Sequence, residues 1–303
     1  MTPERASEFH RALHAALEAG HRVLASGGCS LDAVEEAIVW MEDCPLFNAG
    51  KGGSFTREGK NELEASIMDG ATGKAGSAMV LRTVRNPVRL ARCVMAKTPH
   101  VALAGEAAEK FAAEQGLKLE PEAYFWTRPR YEAMLKLRGT EQTALSEDVV
   151  ISAHPGGPEA AGTVGAVALD DAGNLAASTS SGGTTNKYAG RIGQAGIVGA
   201  GVFAKNSTCA VSCTGQGEAF MRAVTAYDVS ALMEYRGLDL QTATEMAIRQ
   251  RLPGRGGLIA VDQRGTVALP FNSEGMYRGW VDRAGRIHTA IYETWHDWAS
   301  LSA

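Results

Sequence analysis

The chain has 303 residues, 45% of them apolar and 21% charged, with a formal net charge of −4. That length can bury a full core in one large domain or two ordinary ones, and the mild acidity gives no reason to expect nucleic acid or an anionic membrane surface as partner. Five cysteines, Cys29, Cys44, Cys93, Cys209 and Cys213, are odd in number and lack a scaffold spacing, so they read as reduced thiols. No signal peptide or long apolar span is visible, and the expected location is cytoplasmic.

In chain order, residues 4–26 carry Phe9, Leu13, Leu17 and Val23 at helical spacing. Ser30 is the expected N-cap of a second helix that places Val34, Ile38 and Met41 on one face. Strands are expected at Leu63–Met68 and Ala78–Arg82, and a helix from Asn86-Pro87, where proline suits the first turn. A short strand at Val101–Leu103 and a helix at Glu106–Gln115 follow. Periodicity then fades over residues 139–162, a Gly- and Pro-bearing stretch that reads as a flexible linker. The second half restarts as a hairpin, Thr163–Asp170 and Asn174–Ser181, around Asp171-Ala172-Gly173. Then come a strand at Ala210–Thr214, a long helix from Gly217 to Tyr235, and a helix over residues 240–251. Strands are expected at Leu258–Val261, Val267–Pro270 and Ile287–Tyr292. Strands and helices interleave without a strict βαβ rhythm, which favours an α/β architecture with helices covering antiparallel sheets.

Several common hydrolase solutions are absent: there is no Gly-x-Ser-x-Gly elbow, no His-Glu-x-x-His and no phosphate-binding Gly-x-x-x-x-Gly-Lys-Ser/Thr. Small hydroxyl residues and glycines instead cluster at strand ends: Thr163, Ser181-Gly182-Gly183-Thr184-Thr185, and Cys213-Thr214-Gly215-Gln216-Gly217. Exposed backbone N–H groups at such places suit an oxyanion hole. Arg191, set between Gly190 and Gly193, can grip a carboxylate with both arms of its guanidinium. Taken singly, each is as well explained by a β-forming threonine, a turn or a solvated arginine, and Cys209 with Cys213 is a poor metal pair. Jointly they point to threonine chemistry. A threonine hydroxyl needs a base, and an α-amine with a pKa of about 7.7–8.0 supplies one if the Gly162–Thr163 bond is cut.

The ordered motifs resemble the N-terminal-nucleophile hydrolases of the plant-type L-asparaginase/isoaspartyl peptidase group. They are Cys44-Pro45-Leu46-Phe47-Asn48-Ala49-Gly50, Glu62–Gly70, Gly162–Val167, Gly190-Arg191-Ile192-Gly193 and Ser212-Cys213-Thr214-Gly215. The resemblance implies a single four-layer αββα sandwich that cuts itself into an α chain (1–162) and a β chain (163–303), paired again in a homodimer of processed units. It implies Thr163 as nucleophile, Thr214 and Gly215 as oxyanion hole, and Ser181 and Thr185 as supporting hydroxyls. It further implies Arg191, Gln194, Gly217 and Asn48 as substrate-binding or site-supporting residues. No cofactor is implied beyond a structural sodium ion, held by main-chain carbonyls of Met41, Glu42, Cys44, Phe47, Ala49 and Lys51. By sequence alone that loop is also simply a helix end and a turn.

Three departures bear on the expectation. Gln194 stands where the family carries an aspartate that pairs with the substrate's α-ammonium, a change expected to weaken free amino-acid substrates by about 10- to 100-fold. Ser181 replaces the usual threonine, and with Gln194 it resembles threonine aspartase, which keeps an endopeptidase or an N-blocked aspartyl substrate open as the alternative to β-aspartyl peptides and asparagine. The family begins with a strand ending in a His-Gly-Gly-Ala-Gly-like turn, whereas this sequence starts at the following helix. Either the start is misplaced or truncated, or another segment replaces the strand; if the strand is lost, an unpaired sheet edge or gap is expected.

Overall fold

The computed structural model describes residues 1–144 and 162–293, together with the backbone of 295–297. Most of the expected linker therefore lies outside the described residues. Of its flanks, Ala144 pairs with Thr185 and the Gly162 carbonyl is hydrogen-bonded to Asn48.

The first half supplies helices α1 (Pro3–Ala25), α2 (Ser30–Asp43), α3 (Pro87–Lys97) and α4 (Gly105–Glu114) with strands β1 (Leu63–Asp69), β2 (Ala75–Leu81) and β3 (Ala102–Ala104). Two short helices that the sequence pattern does not announce, α5 (Glu122–Phe125) and α6 (Arg128–Leu137), lead towards the linker. Ser30 is not the N-cap expected of it. Cys29 takes that place without a side-chain bond, and Ser30 is the first helical residue, its N–H donating to Asp170 Oδ2 at 3.0 Å. The cap thus comes from a hairpin 140 residues away in sequence.

The second half holds the hairpin β4 (Val164–Leu169) and β5 (Leu175–Ser181), then β6 (Val202–Ala204), β7 (Cys209–Gly215), β8 (Gly256–Asp262), β9 (Val267–Ala268), β10 (Arg278–Val281), β11 (Ile287–Ala290) and β12 (Trp295–Asp297). The long helix expected over Gly217–Tyr235 is two helices, α7 (Gly217–Ala223) and α8 (Thr225–Arg236), broken at Val224 with φ 50° and ψ 46°. The break frees the first turn of α8 to reach outward: the N–H groups of Ala226 and Tyr227 donate to the carbonyls of Ala200 and Gly199. Helix α9 (Leu240–Met246) runs on as a wide π-turn over Ala247–Arg251.

One sheet has the order β3-β2-β1-β5-β4, antiparallel except for the β2–β3 pair; a second has β6-β7-β8-β9 and a third β10-β11-β12. The first two sheets face each other around Met68, Leu175, Ala177, Val202, Ala210 and Val261. Helices α2 and α3 cover the outside of the first sheet, and α8 and α9 the outside of the second. That is the αββα layering the resemblance implies.

Strand β5 is buried at every position although its second half is Ser178-Thr179-Ser180-Ser181. Each buried hydroxyl has a partner: Ser178 donates to the Ser66 carbonyl, Thr179 bonds Ser212 and the Gly201 carbonyl, Ser180 donates to Glu42, and Ser181 meets Thr163. Small hydroxyls let the two layers approach closely while leaving no unpaired oxygen in the strand. Strand β4 begins directly after Thr163 and is an outer strand of its sheet among the described residues.

Candidate active site

Hairpin pairing places Val164 opposite Ser180, so Thr163, just before β4, comes level with Ser181 at the end of β5. The two hydroxyl oxygens lie 3.0 Å apart. Ser181 Oγ also accepts the Gly183 N–H at 2.9 Å, so one serine fixes both the threonine hydroxyl and the Gly182–Gly183 turn.

The loop after α2 braces the same turn through Asn48. Its backbone N–H donates to the Gly162 carbonyl at 3.0 Å, and its backbone carbonyl accepts the Gly182 N–H at 2.8 Å. Its side-chain Nδ2 donates to the Gly183 carbonyl at 2.7 Å, while Oδ1 accepts the Ser54 N–H at 2.8 Å. Asn48 is 1% exposed and fully committed. Only glycine fits at 182, because a Cβ there would stand 2.5 Å from the Ser54 nitrogen.

Thr214 lies near the end of β7, and its hydroxyl is buried without a hydrogen-bond partner among the described residues. It shares with Thr163 a cavity of about 70 Å³ that Leu13, Phe47 and Met276 also line. A free donor facing the threonine across a small cavity is what stabilising a developing oxyanion requires. Thr185 is fully buried, and its hydroxyl donates to Ser54 Oγ at 3.4 Å rather than to Thr163.

Arg191, Gln194 and Gly217 come together on the far side of the Gly182–Gly183 turn. A Cβ on Gly183 would lie 3.2 Å from Arg191 Nη1, and one on Gly217 2.8 Å from Arg191 Nη2 and 2.6 Å from Gln194 Oε1. Gln194 is 3% exposed, its Nε2 donating to the Cys213 carbonyl at 3.4 Å. Arg191 is held by Glu218 through both Nε and Nη2, each at 3.0 Å.

Behind this face lies a buried charged layer that the sequence does not announce. Lys187 Nζ donates to the carbonyls of Glu62 and Gly182 at 2.6 and 2.8 Å. Burial pulls its pKa down to about 8, opposed by the negative charge of Glu64. Glu64 accepts the Gly193 N–H at 2.8 Å, and burial raises its pKa against the pull of Lys187 and Arg191. Lys187 belongs to the small-residue run around Thr185, and Glu218 follows Gly217. A lone charge within a glycine- and hydroxyl-rich run was the available signal for both.

In the loop expected to hold sodium, the carbonyls of Met41, Cys44 and Ala49 each accept a turn hydrogen bond, from Cys44, Phe47 and Gly52. Each keeps a second lone pair, and hard oxygen donors of this kind suit an alkali cation. Among the described residues no cluster of three or more His, Cys, Asp or Glu could hold a metal, and no helix is long and apolar enough to cross a membrane.

The chain is similar over nearly its whole length to known proteins. The isoaspartyl peptidase of Salmonella typhimurium is 48% identical over 299 residues, spanning 96% of this chain and 93% of that protein. The isoaspartyl peptidase of Escherichia coli is also 48% identical, over 96% of this chain and 91% of its own length. A probable isoaspartyl peptidase/L-asparaginase of Arabidopsis thaliana is 42% identical over 96% of this chain and 94% of its own. A sequence profile of the asparaginase family matches residues 1–291. On both counts, the chain belongs to the asparaginase family.

Proposed function

We propose that this chain is an amidohydrolase that cuts its own Gly162–Thr163 bond and then hydrolyses β-aspartyl peptides and L-asparagine through Thr163. The observation that carries the proposal is the placement of the Thr163 hydroxyl 3.0 Å from Ser181, with the adjoining Gly162 carbonyl held by the Asn48 N–H. Family membership and the names of the relatives support the substrate class.

In the first step Thr163 Oγ adds to the Gly162 carbonyl carbon while the Asn48 N–H stabilises the oxygen. The C–N bond breaks, the threonine nitrogen takes up the hydroxyl proton, and a Gly162 ester remains. Water hydrolyses the ester, releasing the Gly162 carboxylate and restoring the Thr163 hydroxyl beside the amine already freed by the C–N cleavage. In turnover that amine accepts the Oγ proton as Oγ attacks the side-chain amide carbonyl of the substrate. Thr214 Oγ and the Gly215 N–H steady the oxyanion, the amine or ammonia leaves with the proton, and water releases aspartate from the acyl-enzyme. Arg191 grips the substrate's α-carboxylate. The family resemblance supports a homodimer of processed units, a cytoplasmic location, and sodium on the carbonyls of residues 41–51.

Denaturing electrophoresis with mass analysis tests the proposal. Wild-type protein is expected to resolve into chains 1–162 and 163–303, and Thr163→Ala to stay one inactive chain. A wild-type chain that remains whole on prolonged incubation, or an active Thr163→Ala, would overturn it.

A further inference from the structure

A β-aspartyl peptide or asparagine carries an α-ammonium and an α-carboxylate on the same carbon, two opposite charges side by side. Gly183, whose N–H is bound by the Ser181 hydroxyl that meets Thr163, lies beside Arg191: a Cβ there would stand 3.2 Å from Nη1. Arg191 and Glu218 carry the complementary charges, one positive and one negative. Glu218 Oε1 accepts from Arg191 Nε and Oε2 from Nη2, so both carboxylate oxygens keep a further lone pair. The other acidic side chains nearby are closed off from solvent. Glu62, 2% exposed, binds Arg82 and the Gly190 N–H. Glu64, 4% exposed, accepts the Gly193 N–H through Oε2, while its Oε1 is buried near Arg191 with no hydrogen bond among the described residues. The Glu218 side chain is 55% exposed and open to an incoming ligand. Gln194, the other polar group at Gly217, is neutral, and its amide nitrogen is directed to the Cys213 carbonyl.

Building on the activity proposed above, we propose that Glu218 is a specificity-determining residue that receives the substrate's free α-ammonium while Arg191 receives the adjacent α-carboxylate. Charge-assisted bonds of this kind are about twice as strong as neutral ones, which favours Glu218 over the Gln194 amide oxygen as the ammonium's partner. Solvent screening at a half-exposed carboxylate places the effect at the modest end of such contacts. Arg191 is therefore more than a lone clamp. With Glu218 it forms a two-charge template that selects an unblocked aspartyl head group.

The test is steady-state kinetics of the processed enzyme and its Glu218→Gln variant on L-asparagine, a β-aspartyl dipeptide and N-acetyl-L-asparagine. The acetylated compound keeps the carboxylate and lacks the ammonium; if it turns over poorly, its inhibition constant is measured instead. Glu218→Gln is expected to raise KM for the two free-amine substrates about tenfold with kcat little changed, and to leave the acetylated compound's constant unaltered. Glu218→Asp, which keeps the charge, is expected to recover part of the loss. An equal rise for free and acetylated compounds would mean that Glu218 only holds Arg191 in place, and would overturn the assignment. A fall in KM, which would mark Glu218 as a competitor for Arg191, or no change at all, would also overturn it. Wild-type enzyme that processes none of the compounds would overturn the proposed activity itself, a result separable from all of these.

Discussion

Glu42 offers a sharp quantitative test of how the site's foundation is built. It sits near the end of α2, fully buried, with Oε1 accepting the Val88 N–H at 3.1 Å and the Ser180 hydroxyl at 2.7 Å. Among the described residues its Oε2 makes no hydrogen bond, though the Asn86 side chain is close enough to favour the charged form. Burial drives its pKa up from 4.5 to about 8, against the hydrogen bonds from Ser180 and Val88, which favour the charged form. The folded chain therefore keeps a proton that the unfolded chain loses above pH 4.5. Stability from this group is fully present below that pH, declines as pH rises, and levels off above about 8. Over the interval from pH 4.5 to 7 the cost is about 3 kcal/mol. Glu42→Gln keeps the acceptor for Val88 and Ser180 and never ionises. It should match the parent near pH 4.5 and exceed it by about 3 kcal/mol at pH 7. Urea unfolding at both pH values is the assay, run in a Thr163→Ala background so that one uncut chain unfolds. A stability gap of the same size at both pH values would refute the reasoning, because Glu42 would then be ionised in the folded chain.

Two further substitutions probe the reacting face. Ser181→Ala removes the partner of the Thr163 hydroxyl and the acceptor of the Gly183 N–H, so self-cleavage followed by electrophoresis should slow about 10- to 100-fold; an unchanged rate would leave Ser181 a packing residue. Gly217→Ala would set a Cβ 2.6 Å from Gln194 Oε1 and 2.8 Å from Arg191 Nη2. Displacing the guanidinium should raise KM for carboxylate-bearing substrates by about tenfold or more while thermal stability stays near that of the parent; an unaltered KM would put the substrate carboxylate elsewhere.

The local parts of the fold were legible because local rules govern them. The β4–β5 hairpin, the proline start of α3 and the apolar faces of α1 and α2 follow from turn residues and periodicity. The misses at Ser30 and Val224 involve partners distant in sequence. Nothing near Ser30 reveals that Asp170 accepts its N–H, and nothing near Val224 reveals that the carbonyls of Gly199 and Ala200 await the N–H groups of α8. The site divides in the same way. Thr163, Ser181 and Thr214 stood out by type and by position at strand ends, and the cavity and the hydroxyl pair bring them together. Lys187 and Glu218 carry no sequence signal beyond being lone charges at the ends of glycine- and hydroxyl-rich runs. Only the folded chain reveals the burial of the one and the arginine partner of the other.

On the proposed mechanism, the two reactions of Thr163 share a nucleophile but cannot share a base. Before the cut, the Thr163 nitrogen is an amide and has no basicity near neutral pH. What the uncut chain does hold is geometry: a hydroxyl fixed against Ser181, and a carbonyl whose oxygen already accepts the Asn48 N–H. Self-cleavage must then run on positioning and polarisation alone. Turnover adds a general base, which typically contributes about 10²- to 10⁴-fold. A slow first cut followed by faster hydrolysis is the order expected when the first reaction creates the amine that the second one uses. Asn48 suits that sequence because its side chain and carbonyl brace the Gly182–Gly183 turn independently of its N–H. When the Gly162 carbonyl departs, the brace stays, and the N–H that polarised the scissile bond is released without disturbing the hydroxyl it helped to activate.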